Sequence, residues 1–302
     1  MLNFLTSLII ASLLIPSGFN FFTQKAADYS YRSGIVSNKA QLPKRIVNNS
    51  FGLKTTAKSI LIIDDASGSV LYSKNPAVVS PLASISKLMT ALVVLDNKPD
   101  WNKVVKMTKE DRRQGGINYL FDGQEVTVKD LFNLMLVASS NEAAIALARS
   151  SGPTNFVAAM NKKAKELGMT DTYFLDPSGL TPQNVSSAKD LIKLAQAAFS
   201  QPEIIKAVTS QEYRFKLVDN SKIVLGVSTD KLLDGFLNQG DYQIVGAKTG
   251  YLDEAGYCLL LKIKKKDTAS LTIALMGAQS QPDRWQEAKG LVDWVFRNYQ
   301  FN

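Results

Sequence analysis

The chain has 302 residues, 45% of them hydrophobic, a formal net charge of +8, no histidine and one cysteine. That hydrophobic share suffices for a substantial core in one or two domains. The composition excludes an internal disulfide, a histidine-based proton relay and a zinc site of the usual Cys/His kind, and no glycine-rich phosphate loop or other cofactor motif is visible.

Phe4–Ile15 is an apolar run about as long as a signal-peptide core, broken by Pro16 and Gly18, and the first charge after Met1 is Lys25. Residues 1–24 are therefore read as a signal peptide or a membrane anchor, with cleavage placed ahead of anchoring; Phe4–Phe22 is near the lower length limit for a span. An exported protein of the periplasm or cell envelope is expected. Residues 25–57 form a basic, weakly apolar arm. Solvated charge explains most of it, and attraction to anionic wall polymers or lipid headgroups is the second reading. Nucleic-acid binding is disfavoured, since no recognition motif is present.

Residues 58–302 read as one domain. Ser59–Ile63 and Ser69–Tyr72 form a hairpin with Ser67-Gly68 in its turn. A helix runs from Ser84 to about Asp96, with Leu88, Ala91, Leu92 and Leu95 at helical spacing, and is expected to be central and buried. Helical runs follow at Asp130–Val137, Asn141–Arg149 and Thr154–Leu167, the last with Pro153 near its start and Gly168 at its stop. Ser187–Phe199 and Pro202–Val208 continue the helices. Strands return at Tyr213–Val218, Ile223–Val227, Tyr257–Ile263 and Leu271–Met276, with Lys262, Lys264, Lys265 and Lys266 near a hairpin turn. Cys258 falls in an apolar strand and reads as a buried thiol. Arg284–Asn298 closes the chain as an amphipathic helix carrying Trp285, Leu291 and Trp294. Strands at both ends with helices between require the first hairpin to join the late strands in one antiparallel sheet. The fold class is α+β: an antiparallel sheet flanked by helices plus a mostly helical lobe, with the site in the seam.

Chemistry concentrates in three short motifs. Ser84-Ile85-Ser86-Lys87 puts an amine on the same helix face as a hydroxyl. A buried amine can lose its proton near neutral pH and activate that serine. Ser139-Ser140-Asn141 lies at the junction of two helical runs, and Lys248-Thr249-Gly250 precedes a strand. Alone, each is ordinary: a first helical turn, an interhelical turn with a cap, a hairpin approach. Together and in this order they mark penicillin-binding proteins and class A β-lactamases.

Pro81–Thr90, Asp176-Pro177-Ser178-Gly179-Leu180, Ser186–Leu191 and Lys248–Tyr251 with Ala255–Cys258 resemble the low-molecular-mass penicillin-binding proteins, the serine-type D-alanyl-D-alanine carboxypeptidase family. The resemblance spans roughly Ser59 to Tyr299 and implies a β-lactamase/transpeptidase-like fold. It implies Ser84 as nucleophile, Lys87 as its base, Ser139 as proton shuttle and Asn141 as a grip on the substrate amide. Lys248 supplies a positive field, Thr249 donates to a substrate carboxylate, and Gly250 leaves room for substrate backbone. Backbone N–H groups of Ser84 and Tyr251 would hold the oxyanion. Arg284 resembles the arginine that meets the substrate's terminal carboxylate, and pairing with Asp283 or Glu287 on its own helix is the alternative. Peptidoglycan stem peptides are the implied substrate and β-lactams the implied covalent inhibitors. Asp176 and Ser178 replace the Asn and His common in carboxypeptidases, which resembles the endopeptidase branch, so removal of terminal D-alanine and cleavage of D-alanyl cross-links both stand. A β-lactamase is less favoured, because no Glu-x-x-Asn follows Asn141 before Lys248. A non-catalytic wall-binding protein is less favoured still, because all three motifs are intact.

Overall fold

The computed structural model describes residues 41–301 except 48, 49, 51, 114 and 152. The leader segment 1–24 and the first part of the arm lie outside these described residues.

Strands β1 (Ser59–Asp64) and β2 (Val70–Lys74) form the expected hairpin. Helices α1 (Ser86–Asp96), α2 (Val128–Val137), α3 (Asn141–Ser151), α4 (Phe156–Glu166), α5 (Ala188–Ala198) and α6 (Pro202–Val208) follow. The chain then supplies β3 (Tyr242–Leu252), β4 (Gly256–Lys265) and β5 (Ala269–Ala278), and ends in α7 (Gln281–Asn298). The five strands make one antiparallel sheet in the order β3-β4-β5-β1-β2.

Alternation of side chains along each strand explains why this sheet reads as continuous apolar sequence. Ile60 and Ile62 of β1, Leu259 and Leu261 of β4, and Ile273 and Leu275 of β5 pack with Trp285, Leu291, Val292 and Val295 of α7. The intervening Leu61, Ile63, Leu260, Ala274 and Met276 face the opposite way, into the core of the helical lobe. Both faces are covered, so neither needs polar residues. α1 is buried along Ser86–Val94, as a helix surrounded by others must be.

Two expectations need correction. The strands Glu212–Lys216 and Ile223–Val227 pair with each other in a separate ribbon and do not join the main sheet. Lys248-Thr249-Gly250 lies inside a strand of the main sheet rather than on a hairpin approach. The physical reason is that β3 is an edge strand whose glycines fit close neighbours: a Cβ on Gly246 would come within 2.5 Å of the Phe199 ring.

The described part of the arm lies along α7. Lys44–Arg45 pairs antiparallel with Tyr299–Gln300. Ser50 Oγ accepts from Trp294 Nε1 at 2.7 Å, and Glu287 accepts from the backbone N–H groups of Thr56 and Ala57. Among the described residues no helix is long and apolar enough to cross a membrane.

Candidate active site

Three segments converge at the sheet's β3 edge. The first is a 3-10 turn, Ala83–Ile85, that feeds directly into α1. Ala83 has φ +50°, a left-handed conformation costly for a residue with a Cβ. It is held by Ser86 Oγ, which donates to Ala83 O at 2.8 Å. Asn184 in turn donates to Ser86 Oγ at 2.9 Å and to Asp176 O at 2.8 Å. Ser84 is thereby presented half-buried at the head of α1.

The second segment gives each residue of its triplet a separate backbone job. Ser139 takes the left-handed position just past α2, with φ +60°. Ser140 Oγ accepts from Ala143 N at 3.1 Å and caps α3. Asn141 opens α3 with its side chain turned inward, its amide nitrogen donating to Gly115 O at 2.9 Å. That bond leaves Asn141 Oδ1 facing Lys87.

Lys87 is fully buried. Its Nζ lies 3.0 Å from Ser84 Oγ, 2.7 Å from Asn141 Oδ1 and 2.5 Å from Ser178 O. Burial lowers its pKa to about 7, opposed by the carboxylates of Asp176 and Glu142. Two of the three partners are carbonyl oxygens, which only accept. A neutral amine has two N–H groups for them, and its lone pair is then left for the Ser84 hydroxyl proton.

The Ser178 carbonyl is fixed by Asp176. One carboxylate oxygen accepts from Ser178 N (2.6 Å), Ser178 Oγ (2.6 Å) and Gly179 N (2.7 Å), and the other from Thr181 N at 2.9 Å. Gly179, at φ +82°, leaves no room for a Cβ, which would stand 2.1 Å from Ala83 O.

The third segment is β3. Lys248 Nζ donates to Ser139 Oγ at 2.9 Å. Burial drives its pKa well below the usual lysine range, with Lys87 and Arg284 adding repulsion and Asp230 opposing them. Thr249 Oγ1 is 2.6 Å from Thr229 Oγ1. A Cβ on Gly250 would meet Leu82 O at 2.9 Å and Ser84 N at 3.2 Å. Glycine thus lets β3 lie against the Ser84 turn, a packing need beside the substrate clearance expected from sequence. Tyr251 follows with its side chain exposed.

Arg284 is buried at the start of α7 and Nη1 donates to Gly250 O at 3.2 Å and Cys258 O at 3.4 Å. Burial brings its pKa down to about 10. Asp283 instead accepts from Ser280, and Glu287 holds the arm. Sequence reasoning missed Thr229 and Asp230. Asp230 is buried, with Oδ2 lacking a hydrogen-bond partner, and burial raises its pKa to about 6 against the pull of Leu232 N, Arg284 and Lys248. Cys258 is buried, and burial pushes its thiol up to about 11.

The profile of the D-alanyl-D-alanine carboxypeptidase family, peptidase S11, matches residues 45–280. The chain belongs to this family. Similar members include the D-alanyl-D-alanine endopeptidases of Pseudomonas aeruginosa, 36% identical over 241 residues (78% of this chain, 76% of that one), and Escherichia coli, 34% over 243 residues with the same coverage. The D-alanyl-D-alanine carboxypeptidase DacF of Bacillus subtilis is 32% identical over 252 residues, 81% of this chain and 63% of its own length. Among solved structures, the Streptomyces K15 DD-transpeptidase superposes with a TM-score of 0.74 at 25% identity, covering 82% of this chain and all of that one. Cefotaxime-bound penicillin-binding protein D2 of Listeria monocytogenes gives 0.71 at 28% identity, covering 82% of this chain and 100% of its own. Family members so named are serine-type DD-peptidases, and the expected α+β fold is theirs.

Proposed function

We propose that this DD-peptidase removes the terminal D-alanine of peptidoglycan stem peptides through an acyl-enzyme on Ser84. The observation that carries the reading is the buried Lys87 amine, 3.0 Å from Ser84 Oγ and flanked by two obligate acceptors. Lys87 takes the Ser84 proton while Oγ attacks the carbonyl carbon. The oxyanion sits on the N–H groups of Ser84 and Tyr251, each such donor worth about 2.7–4 kcal/mol. Collapse expels the D-alanine amine, which takes a proton from Ser139; Lys248, hydrogen-bonded to Ser139, returns one. Water then attacks the ester, its proton passing through Ser139 to Lys248, and the ester C–O bond breaks as Lys87 hands its proton back to Ser84 Oγ. Asn141 grips the substrate amide, and Thr249 with Arg284 receives the carboxylate. Thr229, touching Thr249, helps aim that hydroxyl.

A second reading, cleavage of D-alanyl cross-links, is favoured by the loop of Asp176 and Ser178 and by the endopeptidase names of the relatives at 36% and 34% identity. Both readings carry covalent inhibition by β-lactams, in line with penicillin-binding protein D2 in its cefotaxime- and ampicillin-bound forms. Work on wall polymer requires export, which the apolar leader in 1–24 would provide. Digesting a pentapeptide and a cross-linked dimer side by side, with mass analysis, tests the proposal: release of D-alanine from the pentapeptide is expected. Cleavage of the dimer alone would favour the second reading, and cleavage of neither would refute both.

A further inference from the structure

Four side chains form a layered column at the site end of β3 and β4. The Arg284 guanidinium sits 4.2 Å from the Trp285 ring centroid and 5.4 Å from that of Tyr257. Tyr251 stacks on Tyr257, with centroids 4.3 Å apart and planes 28° apart. The column begins at buried Trp285, passes through buried Arg284 and then Tyr257, and ends at Tyr251, which is 48% exposed. The Tyr251 hydroxyl donates to Asp253 Oδ1 at 2.5 Å. One ring face and the hydroxyl are thus fixed, and the outer face is a rigid flat surface. Ordering a two-χ aromatic in advance lowers the entropy lost when something binds to it.

Its position says what would bind. Tyr251 follows Gly250, the residue of β3 that packs on the Ser84 turn, and β3 is an edge strand. A peptide added along such an edge presents side chains alternately to the two faces. Alternation also puts Tyr251 on the face of Thr249, away from the nucleophile turn. The turn beyond it carries Asp253 and Glu254, both exposed. A long aliphatic arm with a terminal ammonium matches all of this: methylenes over the ring, the cation near its electron-rich face, and a carboxylate at its hydroxyl end.

We infer that Tyr251, backed by Tyr257 and flanked by Asp253, is a subsite for the side chain of a diamino acid in the stem peptide. The inference rests on the reading of the chain as a DD-peptidase.

The test uses the purified protein and stem pentapeptides that differ only at the third residue, lysine against norleucine, each with and without the disaccharide. Acylation by benzylpenicillin is measured in parallel. The wild type should prefer the lysine stem by about tenfold in kcat/KM. Tyr251→Ala and Asp253→Asn should each collapse that ratio, read against the variant's own penicillin acylation rate. Equal rates for lysine and norleucine stems, with turnover intact, would overturn this inference and leave the DD-peptidase reading standing. A preference that follows the disaccharide instead would overturn it in favour of a sugar platform. Failure to turn over any stem would overturn both.

Discussion

Gly250 and Ser84 meet so closely that a Cβ on Gly250 would lie 3.2 Å from the Ser84 backbone nitrogen. The edge strand and the head of α1 are therefore one packed unit. Gly250→Ala should lower the rate of penicillin acylation about a hundredfold, because a displacement near 1 Å at a reacting centre has that order of effect. Stopped-flow acylation kinetics would check it. Gly179→Ala acts on the same turn from the other side, against Ala83 O and at positive φ. Its expected cost is roughly 3 kcal/mol of stability, read by denaturant unfolding.

The Lys87 pKa of about 7 sets a pH profile. Its protonated form has no lone pair for the Ser84 proton, so acylation should fall about tenfold per unit well below that pKa. Lys87→Arg keeps the charge but cannot lose its proton at these pH values. It should lose roughly a thousandfold in acylation across the range. A flat profile in the wild type would contradict the assignment of Lys87 as base.

Asp176 raises the Lys87 pKa through its charge. Asp176→Asn retains a carbonyl oxygen for the Ser178 and Gly179 N–H groups while removing that charge. The acid limb of the acylation profile should therefore move to lower pH than in the wild type. A limb that stays in place would show that the charge does not reach the amine.

Asp230 gives a stability prediction with a definite sign. Burial raises its folded-state pKa from 3.8 to about 6. Between those values the folded state holds the proton more tightly, so the burial penalty grows as pH rises and is complete above pH 6. Asp230→Asn, which has no such penalty, should gain about 2 kcal/mol relative to wild type on going from pH 4 to pH 7.5. Parallel urea melts at the two pH values would measure it.

Much of this site was legible because its chemistry is local. Ser84 and Lys87 share one helical turn, and Ser139, Ser140 and Asn141 occupy consecutive cap positions, so the members of each motif are neighbours by spacing, while the meeting of the three motifs was what the resemblance implied. The leader and most of the basic arm lie outside the described residues. The hairpin at Ser59–Lys74 was readable from the apolar run Ile60–Ile63 with Ser67-Gly68 in the turn, and α6 from Pro202 at a helix start. β3 was not, since Gln243, Gly246, Lys248 and Gly250 break any apolar rhythm, and the need for glycine there arises from Phe199 and Ser84, residues distant in sequence. The separate ribbon of Glu212–Val227 misled for the converse reason: its alternation is genuine, but nothing in it tells which sheet it joins. Asp230 carries no motif, and only burial beside Lys248 and Arg284 marks it. For Arg284, its contacts with Gly250 O and Cys258 O come from the pairing of β3 with β4, which helix spacing cannot show.

The central claim is that one hydroxyl, Ser84 Oγ, becomes acylated. Intact-protein mass spectrometry after exposure to benzylpenicillin, followed by peptide mapping, measures this directly. A single adduct on the peptide bearing Ser84, absent in Ser84→Ala with its fold retained, is the predicted result. An adduct that persists in Ser84→Ala, or that maps to another residue, would contradict the account.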